Sequence, residues 1–125
     1  MTKNLFKKFL GISFPILLFI GLASFAYVPF EDKTVTGEIL DMKCYMSAGK
    51  HGPDHKECAA MCLKGGSPMG ILADDGKVYL LIAGKDEAPF EEAKNHGGET
   101  VTVTGTLSEK NGVQALIVSE VKVKK

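Results

Sequence analysis

The firmest constraint on the fold sits near the C-terminus. Glu99-Thr-Val-Thr-Val-Thr-Gly-Thr-Leu107 alternates apolar and polar residues, and Asn111-Gly112 then leads into Val113-Gln-Ala-Leu-Ile-Val-Ser-Glu-Val-Lys-Val123. A period of two marks a half-buried strand, and Asn-Gly between two such runs selects a tight hairpin turn. Val101, Val103 and Leu107 are expected to face a core. A chain carrying such a hairpin must find other strands to cover that face.

It has them. Thr34-Val-Thr-Gly-Glu-Ile-Leu-Asp41 alternates in the same way, with Val35 and Ile39 on one side and Thr34, Thr36 and Glu38 on the other. Gly37 inside it predicts a bend or bulge. Ser67–Ala73 and Lys77–Ala83 are apolar runs around Asp74-Asp75-Gly76, a second hairpin. Between the hairpins, Ala88–Gly98 reads as a short helix with Pro89 early and Gly97-Gly98 as its stop. Phe90, Ala93 and the Lys94 stem would point inward. The order is strand, insert, strand, strand, helix, strand, strand. This is the order of a mainly β, five-stranded OB-like Greek-key barrel, with a Cys/His-containing helical insert (residues 42–66) between strands 1 and 2 and a short helix between strands 3 and 4. A small open β-sheet covered by two helices is the competing architecture.

The N-terminal end is of another kind. Lys3, Lys7 and Lys8 precede an apolar stretch, and Phe9 to Phe30 holds no charge over 22 residues. Ser24-Phe25-Ala26 supplies small residues for a cut after Ala26. Residues 1–26 are therefore expected to be a signal peptide, or an uncleaved membrane anchor, with the single domain of residues 34–125 exported to the periplasm or held facing outside the cytoplasm. Without Lys3, Lys7 and Lys8, the 15 basic residues fall to 12 against 15 acidic ones, a net charge of −3. The chain has no arginine. A weakly acidic, arginine-free domain is a poor match to nucleic acid, which is bound by neutralising phosphates.

The chemistry is concentrated in the insert. Asp41 to Cys62 spans 22 residues and holds all three cysteines and two of the three histidines. Pro53 to Leu63 predicts a helix, with Asp54 and Glu57 as a capping box and Gly65-Gly66 as its end. His55, Cys58 and Cys62 would share one face of it, at i, i+3 and i+7, with Lys56, Glu57, Ala60 and Lys64 solvated opposite. Cys44 can fold back toward that face and His51 can add a nitrogen. Cys44, His51, His55, Cys58 and Cys62 are the inventory of a structural zinc or a copper(I) site. Asp41 would be a partner behind a ligand histidine or, more plainly, an exposed carboxylate at a strand end. Met42, Met46, Met61 and Met69 surround the cluster and tilt the choice toward copper, although flexible filler is their commoner role.

The spacing contains no C-x-x-C pair and no finger or haem-attachment pattern. Two other uses of the cysteines stay open. A disulfide of Cys44 with Cys58 or Cys62 would staple the insert and leave one thiol over, whereas Cys58 with Cys62 is too far apart inside a regular helix. A thiol beside His55 could instead do redox work. His96 reads as a C-terminal helix residue, and Gly65-Gly66-Ser67-Pro68 as a helix stop and turn. No Ser-His-Asp set or carboxylate pair suggests a hydrolase.

The run Val-Thr-Gly-Glu-Ile-Leu-Asp41-Met-Lys-Cys44-Tyr, then His55-x-x-Cys58-x-x-x-Cys62-Leu-Lys-Gly-Gly, then Asp75-Gly76-Lys-Val-Tyr79 resembles a group of small exported bacterial proteins of uncharacterised function. Those carry a D-x-x-C and an H-x-x-C-x-x-x-C insert in an OB-like β-domain. The resemblance covers most of the chain after residue 26 and implies an extracytoplasmic module, without an activity. The expectation is a non-enzymatic binding or carrier domain for copper or zinc. A disulfide-stapled adaptor for another envelope protein, or a thiol redox protein, is the alternative.

Overall fold

The computed structural model describes residues 30–124, so the expected signal or anchor segment, residues 1–26, lies outside the described residues. Among the described residues no helix is long and apolar enough to cross a membrane. The elements in order are β1 (Asp32–Asp41), α1 (Met42–Ala48), a 3-10 turn (Pro53–His55), α2 (Lys56–Lys64), β2 (Met69–Ala73), β3 (Val78–Ala83), α3 (Ala88–Ala93), a second 3-10 turn (Lys94–His96), β4 (Thr100–Lys110) and β5 (Val113–Val123).

The five strands hydrogen-bond in a ring, β1-β2-β3-β5-β4, with β4 returning to β1. Every pairing is antiparallel except β3 with β5. The expected alternation holds in β1 and β4: Val35, Ile39, Val101 and Val103 are buried, and their outward neighbours pair across the strands. Thr34 meets Thr104 at 3.0 Å and Thr36 meets Thr102 at 2.9 Å between hydroxyls, as the register places them opposite. Both hairpin turns form where Asp-Gly and Asn-Gly predict them. Gly76 takes φ +85°, and Asn111 and Gly112 take +52° and +84°.

Gly37 is not a bulge. It stays in register with both Ala73 and Val101, and a β-carbon there would lie 2.1 Å from the Leu72 carbonyl oxygen. The residue is needed for close backbone approach. The bulge in this sheet falls instead between Thr104 and Gly105.

The insert differs from expectation in two ways. Residues 42–48 form a helix, α1, ahead of the one expected at Pro53–Leu63. Asp41 caps it, its carboxylate accepting the Lys43 N–H at 3.0 Å, and Gly49 closes it at φ +63°. The Asp54 capping box does not form: the chain enters α2 through the 3-10 turn, and His55 stands at its N-cap without a side-chain cap.

Three anchors dock α2 onto the sheet. Leu63 enters the core cluster beside Ile39, Ile71 and Val101. Lys56 pairs with Glu99, which also binds His96 Nδ1 at 2.8 Å, while His96 Nε2 holds Glu92 at 3.0 Å. Gly97 and Gly98 do more than stop a helix. A β-carbon on Gly97 would lie 2.7 Å from Ala60 N, and one on Gly98 2.8 Å from Lys56 Cα, with φ already at +74°. Ala60 is accordingly half-buried and not solvated. The Gly97–Glu99 segment is stitched to β1 by Gly98 N–H to Ile39 O (2.8 Å) and Ile39 N–H to Glu99 O (3.0 Å).

Two outcomes are expected. Gly97→Ala should lower stability by about 2 kcal/mol, read by urea unfolding, because backbone and not a flexible side chain must yield. Burial by itself would lower the His96 pKa, but its two carboxylate partners outweigh that and raise it above 6.5, and they in turn are held below 4.5. The imidazolium contribution is complete below pH 6.5 and is lost as pH rises through the raised value. The carboxylate contributions are lost as pH falls below 4.5. The stability gap between wild type and His96→Asn should therefore be widest between these two values and shrink on the alkaline side.

Candidate metal centre

The site forms where β1 gives way to α1. Asp41 is the last residue of β1, opposite Met69, and is 1% exposed. It is not the solvated strand-end carboxylate that the sequence favours. Leu40 and Asp41 are both buried, and α1 and α2 pack on this end of β1. An ionised side chain in such a place must be hydrogen-bonded. Its Oδ1 accepts the Lys43 N–H and the Ser67 hydroxyl. Its Oδ2 is buried and has no hydrogen-bond partner.

Local sequence explains how the partners arrive. Asp41 starts α1, so Cys44 follows at the third helical position, within one turn of its cap. After α2, Gly66 takes φ +98°, and Ser67 N–H returns to the Cys62 carbonyl at 3.0 Å. That return aims the Ser67 hydroxyl at Asp41. Gly65-Gly66-Ser67 is thus a helix stop, as expected, and also a support for the site, which no local sequence signal marks. Before α2, Gly52 at φ +88° lets its carbonyl accept the His55 N–H at 3.0 Å, and Glu38 accepts the Gly52 N–H. His55 is thereby set into the interior at 9% exposure, with Nε2 buried and unpartnered.

One carboxylate oxygen of Asp41, the Cys44 sulfur and a ring nitrogen of His55 all lie within 4.8 Å of one another. An oxygen, a sulfur and a nitrogen converging from β1, α1 and the entrance of α2 can hold a metal ion. Two buried polar atoms left open, each costing about 1–3 kcal/mol, fit that use.

Electrostatics link Cys62 to the group. Burial tends to raise the Asp41 pKa, but the Ser67 hydroxyl, the Cys44 thiol, the Lys43 N–H and the Cys62 thiol together hold it below its usual value. The carboxylate is ionised and acts back on the thiols. Cys44 is pushed up, first by its interaction with Asp41 and then by burial. Cys62 is pushed up to about 11 by burial, by the negative charge of Asp41 and by Cys58. Both thiols therefore carry protons near neutral pH, and a bound metal must displace them.

The remaining expected ligands are placed differently. Cys58 is exposed, one helical turn before Cys62. His51 lies outside the convergent group. Its Nδ1 is 3.2 Å from Glu38, its ring meets Tyr45 edge-on at 5.8 Å between centroids, and it is half-exposed. All three cysteines are free thiols, so neither Cys44–Cys58 nor Cys44–Cys62 is bonded here. Met69 is in the core, and the Met42 sulfur packs over Gly70, both as filler. Met46 and Met61 are exposed. No family model, curated protein or solved structure matches the chain.

Replacing Asp41 by Asn removes the charge but retains an oxygen for Lys43 and Ser67. The pH midpoint for alkylation of Cys62, measured by mass spectrometry of the labelled peptide, should fall from about 11 toward the ordinary thiol value of 9.0. It should not reach that value, since burial, the largest cause of the shift, remains.

Proposed function

We propose that this protein is an exported, non-enzymatic binding or carrier domain for a soft or borderline metal ion, held by Asp41, Cys44, His55 and Cys62. The observation that carries the proposal is the convergence within 4.8 Å of one Asp41 carboxylate oxygen, the Cys44 sulfur and one His55 ring nitrogen, in two residues whose Oδ2 and Nε2 are buried without a hydrogen-bond partner. Two thiolates, one imidazole and one carboxylate are a four-coordinate zinc set. Copper(I) prefers sulfur throughout, and two of the nearby methionines are committed to packing, so zinc is the better match. Ser67 and Lys43 would hold Asp41 in place, as outer partners of metal ligands do.

Several features support the wider reading. The ring order with β3 parallel to β5, and α3 between β3 and β4, supports an OB-like Greek-key barrel with the centre in its first loop. The lysines ahead of an uncharged stretch support export to the periplasm. The partner would then be an envelope protein that gives or receives the metal.

The test is titration of reduced protein comprising residues 27–125 with zinc(II), with binding followed by competition against a chromophoric chelator. One equivalent per chain is expected, with stabilisation of about 2.7 kcal/mol at a hundredfold excess over the dissociation constant. Affinity should fall as pH falls, because the thiol protons compete. Ser67→Ala should weaken binding by about tenfold while leaving the circular dichroism of the domain unchanged. Protein with three reduced thiols that takes up neither zinc nor copper(I) would overturn the reading.

A further inference from the structure

The cluster is graded in depth. Asp41 and His55 are 1% and 9% exposed, Cys44 and Cys62 are half-buried, and Cys58 is exposed. The grading runs along one helix, since Cys58 and Cys62 stand one turn apart on α2, at i and i+4. Asp41, Cys44 and His55 converge without either of them, and Cys62 is the less exposed of the two.

From this arrangement we propose that Cys58 is the exchange ligand of the metal centre: it carries the ion between the buried set and a thiol-bearing partner, and is not a resident ligand. The proposal rests on the metal-binding reading above. Of the four residues that would hold a metal, Asp41 and His55 are buried and Cys44 and Cys62 are half-buried. Cys58, one helical turn from Cys62, is the exposed thiol of the three and so the one open to a ligand from solvent. In the first step of release, a Cys58 sulfur–metal bond forms and the Cys62 sulfur–metal bond breaks. One proton leaves Cys58 for solvent and one is taken up by Cys62. Two partner thiols then bind the ion, each giving up its proton, as the bonds from Cys58, Cys44, His55 and Asp41 break and Cys58 and Cys44 are reprotonated. The metal keeps its charge throughout, and no oxidant or reductant is consumed. Uptake is the reverse sequence.

The placement of Cys58 has a cost that fits this role. An exposed thiol beside another thiol is open to oxidation, and a resident ligand would be better protected inside. Exposure is of use where the sulfur must meet a second molecule. Lys56 and Leu63 hold α2 on the sheet, so Cys58 reaches outward from a docked helix and not from a loose loop.

The experiment compares wild type, Cys58→Ser and Cys58→Ala as reduced full-length chains in detergent, each loaded with one equivalent of zinc(II) under anaerobic conditions. Equilibrium affinity is read by chelator competition, and transfer rate by stopped-flow delivery to a dithiol acceptor. Both variants should retain one zinc per chain at near wild-type affinity and deliver it about tenfold more slowly or worse. Transfer at the wild-type rate would overturn the proposal, and so would loss of stoichiometric binding, which would make Cys58 a resident ligand. Failure of wild type itself to bind zinc would instead strike at the metal centre, and the exchange role would fall with it.

Discussion

One carboxylate holds the architecture of the insert together. Asp41 ends β1, caps α1 through the Lys43 N–H, and accepts the Ser67 hydroxyl from the far end of α2. Both ends of the excursion between β1 and β2 are thus tied to a single side chain, and the Met42 N–H bond to Pro68 O at 2.9 Å runs beside it. A charged group nearly out of contact with water is tolerable only because those donors surround one of its oxygens. The other oxygen is buried without a hydrogen-bond partner. The geometry that stabilises the charge also brings the carboxylate within 4.8 Å of the Cys44 sulfur and a His55 ring nitrogen.

The ring of strands matters because it is rigid where the insert is not self-sufficient. A seven-residue and a nine-residue helix would not persist alone in water. Leu63 in the core, the Gly97–Gly98 saddle and the Lys56–Glu99–His96 chain transfer the order of the sheet to α2. Glu38, on the outward side of β1, does the same for the approach to His55 by gripping Gly52 and His51. His51, an expected ligand, thus serves the scaffold on this side. With both helices fixed, the gradation from buried Asp41 to exposed Cys58 is a property of the fold.

Much of this could be read in advance. Every strand was visible as alternation or as an apolar run between turn residues, because burial on one face of a sheet imposes a period of two. The ligand-bearing segment was visible from density alone. Misreadings cluster where a residue's neighbours come from distant sequence. Gly37 reads locally as a bend or bulge, yet the carbonyl that forbids a β-carbon belongs to Leu72. Asp54 and Glu57 looked like a capping box, yet the chain enters α2 through a 3-10 turn beginning at Pro53. Helix α1 has no apolar periodicity to announce it, and its only written signals are a capping Asp41 and a left-handed Gly49 that enclose its seven residues.

The sequence by itself therefore determined the number and order of the strands, both tight turns, and which side chains were available for coordination, since each follows from local pattern and residue chemistry. Tertiary structure alone decided which of them meet. Asp41 is a buried ligand candidate and not a surface charge because two helices and a strand close over it. Ser67 is its support because Gly66 turns the chain back, and Cys58 is left outside because α2 docks through Leu63. Burial and convergence depend on contacts across the fold, and no reading of neighbours along a chain contains them.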